Sequence, residues 1–297
     1  MTAAEAAAAI TTTERHIFGD GMNKKELISA LSELGMHPGR GLGQNFLTDG
    51  NLLDAIARVN APEPGEAILE VGPGFGALTE RLLAAGARVT AIEFDRRLAE
   101  YLRRHLACAD LRLVEADACK VDYSELFPDG HFRAIANLPY SISSVFIARM
   151  LELENPPERM FFMLQREMGE RLAALPGSKA YGALSVRVQL DYRVRIERIV
   201  PPEVFYPPPE VESALVEFRR HREFDLTKAR REKLRGIVNT AFAQRRKQLG
   251  KVLGGVYGRE KAGAALRDAG IAPETRPDKL SCADYLQLAK GLFSAIF

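Results

Sequence analysis

"AILEVGPGFGALTERLLAAGARVTAIEFD", Ala67 to Asp95, carries a complete structural unit in one line. A five-residue apolar run ends in Gly72, Gly74 and Gly76, a helical pattern follows, and a second apolar run closes on Glu93. Short apolar runs separated by amphipathic segments imply βαβ units. The rhythm continues in "LRLVEA" (Leu111–Ala116), "FRAIAN" (Phe132–Asn137) and "RMFFML" (Arg159–Leu164), with "RRLAEYLRRHLA" (Arg96–Ala107) as a helix between. The expected fold class is therefore α/β, with a mostly parallel sheet covered on both faces.

Outward from this unit the pattern changes. Upstream, "KKELISALSELG" (Lys24–Gly35) predicts a short helix with Leu27, Ile28, Leu31 and Leu34 on its apolar positions, and Gly39 to Gly43 break regular structure. Downstream, from about residue 177, "YRVRIERIV" and "SALVEFRRH" predict later strands around the Pro-rich "PPEVFYPPPEVE". Beyond about residue 222 the chain is helical and basic. The expected organisation is a flexible extension over 1–24, an α/β domain over 25–220, and a helical domain over 221–297.

Composition sets further bounds. With 46% hydrophobic and 27% charged residues, the 297-residue chain has the profile of an ordinary globular protein. No run of 18 apolar residues is present, so no membrane association is expected, and the Ala/Thr-rich start lacks the features of a secretory signal. Cys108, Cys119 and Cys282 are scattered, without a CxxC pair. That argues against a disulfide framework and a zinc site, and the expected setting is a reducing cytoplasm. A monomer without metal is expected. The net charge of +2 conceals an asymmetry: Arg219 to Lys251 holds twelve Lys/Arg against three Asp/Glu, so the remainder is net acidic. A protein that meets a polyanion with one face has this pattern.

The glycines lie between a strand and a helix, where backbone can approach a ligand and helix N–H groups are free. Glu93, at the end of the next strand, can accept both hydroxyls of a ribose. Asp117, at the end of the third strand, can hold an adenine amine or simply cap a helix starting at Ala118. The loop alone fits a dinucleotide enzyme, a nucleoside-bearing methyl donor, or a structural turn.

"FRAIANLPYSISS" narrows the choice. A buried strand ending in Asn137 needs hydrogen-bond partners for the amide. Asn137 Oδ1 and the Leu138 carbonyl can accept the two N–H bonds of an amine attached to an aromatic base, which frees its lone pair for attack. Pro139 fixes the turn and Tyr140 offers a flat face to the base. The bland alternative has Asn137 capping the next helix and Tyr140 in the core.

"NLPY", with "GLGQNFLTD" (Gly41–Asp49) and "LEVGPGFGALT" (Leu69–Thr79), closely resembles the ribosomal RNA adenine dimethyltransferases, which use S-adenosylmethionine. The resemblance runs from Gly41 to the C-terminus. It implies a Rossmann-like methyltransferase sheet with a small C-terminal helical domain. It further implies that Gln44, Asn45 and Leu47 lie over the cofactor's methionine end, and that Gly72, with Gly74 in the same loop, contacts the cofactor by backbone. Glu93 then holds the ribose, Asp117 the adenine, and Asn137 touches both cofactor and target amine. By the same resemblance Phe205 stacks on the base opposite Tyr140, with Tyr206 as the neighbouring alternative and a core anchor as the bland one. Gly41 departs from the Lys or Arg common there, with Arg40 one residue earlier.

The implied substrate is small-subunit (16S) ribosomal RNA in the assembling subunit, with two adjacent adenosines near the 3′ end each receiving two methyl groups. Arg245, Arg246 and Lys247, on a predicted helix after Phe242, are the expected phosphate contacts; a solvated helix face is the alternative. Rival readings are a large-subunit enzyme of the macrolide-resistance type, an NAD-dependent dehydrogenase, and a non-catalytic assembly factor.

Overall fold

The computed structural model describes Met22 and residues 24–36, 44–224 and 226–297. The tail over residues 1–20 and the Gly39–Gly43 break, with Arg40 and Gly41, lie outside the described residues. The chain forms two compact units. One comprises Met1–Ser143, Met160–Leu164 and Ile199–Leu215; the other comprises Ser144–Arg159, Gln165–Arg198 and Val216–Phe297.

The first half runs α1 (Lys24–Glu33), β1 (Phe46–Leu47), α2 (Gly50–Val59), β2 (Ala67–Val71), α3 (Ala77–Ala84), β3 (Arg88–Glu93), α4 (Arg96–His105) and β4 (Leu111–Glu115). There follow α5 (Tyr123–Leu126), β5 (Arg133–Asn137), α6 (Ser143–Met150), β6 (Arg159–Gln165), α7 (Arg166–Leu172), α8 (Ala183–Gln189) and β7 (Tyr192–Val200). The chain ends with β8 (Phe205–Tyr206), β9 (Ser213–Arg220), α9 (Lys228–Ala243), α10 (Leu249–Tyr257), α11 (Arg259–Asp268) and α12 (Cys282–Leu292).

A seven-stranded sheet has the order β4-β3-β2-β5-β6-β9-β7. The β2–β3, β3–β4, β2–β5 and β5–β6 pairs are parallel, as expected from the helical segments between them. Ala67 pairs with Arg88 and Val71 with Ile92, so the ends of β2 and β3 lie level. Ile68, Leu69, Ala91 and Ile135 are buried, which is why these strands read as continuous apolar runs. A separate two-stranded ribbon pairs Phe46 with Tyr206 and Leu47 with Phe205, antiparallel.

Local chemistry sets the helix starts. The Asp49 carboxylate accepts the Leu52 N–H at 2.7 Å before α2, and Asp95 accepts the Arg97 N–H at 2.9 Å before α4. α1 forms as expected but turns differently about its axis. It buries Leu27, Ala30 and Leu31 and leaves Ile28 41% exposed, because Ala30 continues the i, i+3, i+4 stripe and Ile28 falls on its flank.

The second unit has its own core, in which Leu234, Ile237, Val238, Leu253, Leu266 and Leu288 are buried. Its buried tyrosines have hydroxyl partners: Tyr181 donates to the Leu280 carbonyl at 3.1 Å and Tyr285 to the Pro277 carbonyl at 3.0 Å. One expectation is corrected here. Arg245, Arg246 and Lys247 do not lie on a helix: α9 ends at Ala243, and the three residues form the turn before α10. Arg245 holds that turn, with Nη2 donating to the carbonyls of Ser178 (3.3 Å) and Lys179 (2.9 Å). Arg246 and Lys247 are exposed. Among the described residues, no helix is long and apolar enough to cross a membrane.

Candidate active site

The site lies where the strand order reverses. From β2 the chain moves outward through β3 and β4, then resumes on the other side of β2 as β5 and β6. Ligands of open α/β sheets bind outside the carboxyl ends of the strands at such a switch. A cavity of about 260 Å³ opens there, lined from four strand ends and the Gln44–Leu47 segment.

Its floor is the glycine loop. Gly72 has φ +67°, and a Cβ there would sit 3.3 Å from Pro139 Cδ. Gly74 has φ +60°, and its Cβ would meet the Phe46 ring at 3.1 Å. Side chains at either position would be strained and would crowd the cleft between the converging loops. Gly76 precedes α3 without a capping side chain, which leaves the leading N–H groups for an incoming acceptor.

Four acidic side chains line the cavity, Glu70, Glu93, Asp95 and Asp117. Glu93 is buried; Oε2 accepts the Gly74 N–H at 3.2 Å and Oε1 the Asp95 N–H at 2.9 Å. Burial pushes its carboxyl up to about 7, against the opposing pull of these N–H donors. Asp117 lines the cavity, with Oδ1 accepting the Cys119 N–H at 2.9 Å and Oδ2 3.1 Å from Lys120 Nζ. Those contacts hold its carboxyl below the usual range, the Cys119 N–H first. The helix-cap alternative is corrected: residues 118–120 form a turn, the next helix starts at Tyr123 with Asp122 as its cap, and Asp117 braces the turn while lining the cavity. Glu70, which sequence reasoning passed over, also lines the cavity and is buried on β2. Its Oε2 has no hydrogen-bond partner among the described residues, and burial pushes its carboxyl up to about 8.

The Asn137–Tyr140 turn forms the opposite wall. Asn137 Nδ2 donates to the Asn45 carbonyl at 3.0 Å, which commits the amide nitrogen and leaves Oδ1 as an acceptor. The amide thus does not cap α6; Ser143 Oγ instead donates to the Pro139 carbonyl at 3.1 Å. The Tyr140 hydroxyl lies 2.5 Å from the buried Ser213 Oγ, and burial raises its phenol. Gln44, Asn45 and Leu47 reach the same cavity, and the Gln44 side chain bonds Asp95.

Of the residues singled out above for cofactor and base, all but Phe205 and its alternative Tyr206 line this cavity. Phe205 is 2% exposed and packs among Leu47, Val200 and Leu215, opposite Leu47 in the ribbon. The core-anchor position is the one observed, because pairing with β1 turns the ring inward. Tyr206 is also outside the cavity, its ring 5.5 Å from Lys24 Nζ. Phe94 was missed in the opposite sense. It follows Glu93 in an apolar run, yet it lines the cavity and is 67% exposed.

Comparison with known proteins matches residues 39–293 to the model of the ribosomal RNA adenine dimethylase family. The chain belongs to this family. It is an S-adenosylmethionine-dependent ribosomal RNA adenine dimethyltransferase. Among its relatives, the ribosomal RNA small subunit methyltransferase A of Legionella pneumophila (strain Corby) is 42% identical over 254 residues, 85% of this chain and 97% of that protein. The protein of the same name from Leifsonia xyli subsp. xyli (strain CTCB07) is 43% identical over 270 residues, 88% and 95% of the two chains.

Among solved structures, the 23S rRNA methyltransferase ErmE matches with TM-score 0.62 and 28% identity over 84% of this chain and 99% of that one. A dimethyladenosine transferase from Plasmodium falciparum shares the fold, with TM-score 0.68 and 24% identity over 82% and 95%.

The dimethylase cavity fits its cofactor. A glycine floor with no Cβ, the carboxylates of Glu93 and Asp117, and the unpartnered Glu70 Oε2 suit a ligand with hydroxyl, amine and cationic groups. When bound, S-adenosylmethionine supplies a methyl group already activated by its sulfonium.

Proposed function

We propose that this dimethylase acts on small-subunit (16S) ribosomal RNA during ribosome assembly, placing two methyl groups on each of two adjacent adenosines near the 3′ end. The supporting observation is the convergence on one cavity of the glycine loop, the Asn137–Tyr140 turn and the Gln44–Leu47 segment, the last two joined by the Asn137–Asn45 hydrogen bond. Relatives named as small-subunit methyltransferases are 42–43% identical to this chain, against 28% for the 23S rRNA methyltransferase ErmE, which favours the small subunit over the large.

The residues divide the work as follows. Glu93 accepts the ribose hydroxyls and Asp117 the adenine amine of the cofactor, with Gln44, Asn45 and Leu47 closing over its other end. Gly72 and Gly74 admit it by backbone. Asn137 Oδ1 and the Leu138 carbonyl accept the two N–H bonds of the target amine and draw its nitrogen towards tetrahedral geometry. Pro139 fixes these acceptors and Tyr140 stacks on the base. An adenine inside a helix cannot reach this cavity, so the target is single-stranded or flipped out. Arg246 and Lys247, with Arg245 bracing their turn, position the RNA by its phosphates. The helical domain over 221–297 carries that contact, and the enzyme works as a cytoplasmic monomer.

The test is methyl transfer from labelled S-adenosylmethionine to small subunits lacking the modification, followed by nucleoside analysis of the digested RNA. Dimethyladenosine near the 3′ end is the expected product. Transfer to large-subunit RNA alone, or subunit binding without transfer, would overturn the reading.

A further inference from the structure

A second cavity, of about 220 Å³, lies wholly within the second unit. Five cationic side chains line it: Arg149, Arg187, Lys228, Arg231 and Arg235. Against them stand Glu152, Asp191 and Glu232. None of these residues belongs to the motifs that carry the methyl-transfer site.

The local partnerships separate the structural cations from the rest. Arg231, 10% exposed, donates to the carbonyls of Leu226 (2.9 Å), Leu153 and Glu154 (both 3.1 Å), and lies 3.6 Å from Asp191. It braces the wall. Lys228 pairs with Glu154 at 3.6 Å. That leaves Arg149, Arg187 and Arg235 around one carboxylate, Glu152, which bonds Arg235 and lies 3.5 Å from Arg187. Glu232 is exposed and pairs with none of the three among the described residues.

Arg149 pairs with no carboxylate among the described residues. Its Nε is buried and lacks a hydrogen-bond partner among the described residues. Arg187, 16% exposed, has its guanidinium pKa lowered, by burial first, with Arg235 adding to that effect. A buried guanidinium nitrogen without a partner is costly, and Arg187 and Arg235 share one carboxylate, so with Arg149 beside them an excess of positive charge surrounds a cavity several waters in volume, at about 30 Å³ per water.

We propose that this cavity binds a phosphate group between Arg149, Arg187 and Arg235. A phosphate's tetrahedral oxygens match the planar donor forks of guanidinium groups, and its charge offsets the excess. The phosphate can be free inorganic phosphate or a backbone phosphate of the RNA substrate, and the two sources separate by experiment.

The full-length chain, with Arg149→Gln and Arg149→Lys variants, is melted in chloride and in phosphate buffer at equal ionic strength. In chloride, Arg149→Gln should melt no lower than wild type, since it removes an unpaired cation. Phosphate at about a hundredfold excess over Kd should raise the wild-type Tm by about 5 °C and that of Arg149→Lys by less, and leave Arg149→Gln unmoved. In a second arm, small-subunit RNA binding is titrated with salt in phosphate-free buffer. A slope lower by about 1 in Arg149→Gln assigns the site to an RNA phosphate; an unchanged slope with the phosphate-dependent Tm assigns it to free phosphate. The proposal falls if Arg149→Gln matches wild type in both arms, or melts lower than wild type in chloride, which would make Arg149 a structural residue.

Discussion

The side chain of Asn137 and the backbone of Asn45 are joined by a 3.0 Å hydrogen bond from Nδ2 to the carbonyl oxygen, across 92 residues of sequence. One amide thus ties the Asn137–Tyr140 turn to the Gln44–Leu47 segment, and its orientation leaves Oδ1 as the acceptor for the proposed target amine. Asn137→Ala removes an aligned acceptor and the tie together. Methyl transfer should fall by about 10²–10³-fold, with subunit binding unchanged. A single-turnover assay beside a binding titration checks this; full activity would sink the proposed role.

Tyr140 separates ring from hydroxyl. Its hydroxyl contacts Ser213 Oγ at 2.5 Å, while its ring lines the cavity. Tyr140→Phe keeps the face and should remain within a few-fold of wild type. Tyr140→Ala loses stacking worth about 1–3 kcal/mol, so kcat/KM for RNA should drop by about 5–150-fold. Steady-state kinetics of both variants distinguish stacking from hydrogen bonding.

Phe205 is a stability residue in this geometry. Truncation to Ala in the core should cost about 3–5 kcal/mol, read as a lower denaturant midpoint. Phe205→Leu keeps most of the volume and should cost less than about 1.5 kcal/mol. If Phe205→Leu is stable yet inactive, the ring reaches the base during the reaction and the core position is a resting one.

Glu93 makes cofactor affinity depend on pH. Its carboxyl sits at about 7 in the folded chain, above the ordinary 4.5, so the folded state holds a proton that the unfolded state releases. Its contribution to stability is therefore greatest below about pH 4.5 and declines as pH rises to about 7. In its proposed role the ionised form accepts the ribose hydroxyls, so cofactor affinity should rise from pH 6 to pH 8. Calorimetry should show proton release on binding below pH 7, and Glu93→Gln should reduce both effects.

The turn after α9 predicts a split among its basic residues. Arg246→Ala and Lys247→Ala should each weaken subunit binding and lower the salt slope by about 1, with Tm unchanged. Arg245→Ala should also lower Tm, because its guanidinium holds the Ser178 and Lys179 carbonyls. Salt titrations and melting curves on the three variants check this.

The sequence by itself determined the α/β class, the central strands β2 to β6 and the glycine loop, because buried parallel strands are short apolar runs and turn chemistry is local. It also placed Glu93, Asp117 and Asn137 at strand ends, since strand ends are legible wherever an apolar run stops. Tertiary structure decided what depends on partners far away in the chain. Phe205 is turned inward by its pairing with Leu47, and Phe94 is exposed although its neighbours read as core. Glu70 looks like an ordinary strand residue until the fold closes around it and leaves one oxygen without a hydrogen-bond partner among the described residues. Arg245 reads as one of three equal charges until the 178–179 carbonyls meet it, and only the fold buries the Arg149 Nε without a hydrogen-bond partner among the described residues. Period and composition report how a residue relates to its sequence neighbours; desolvation and hydrogen bonding depend on which distant groups arrive beside it.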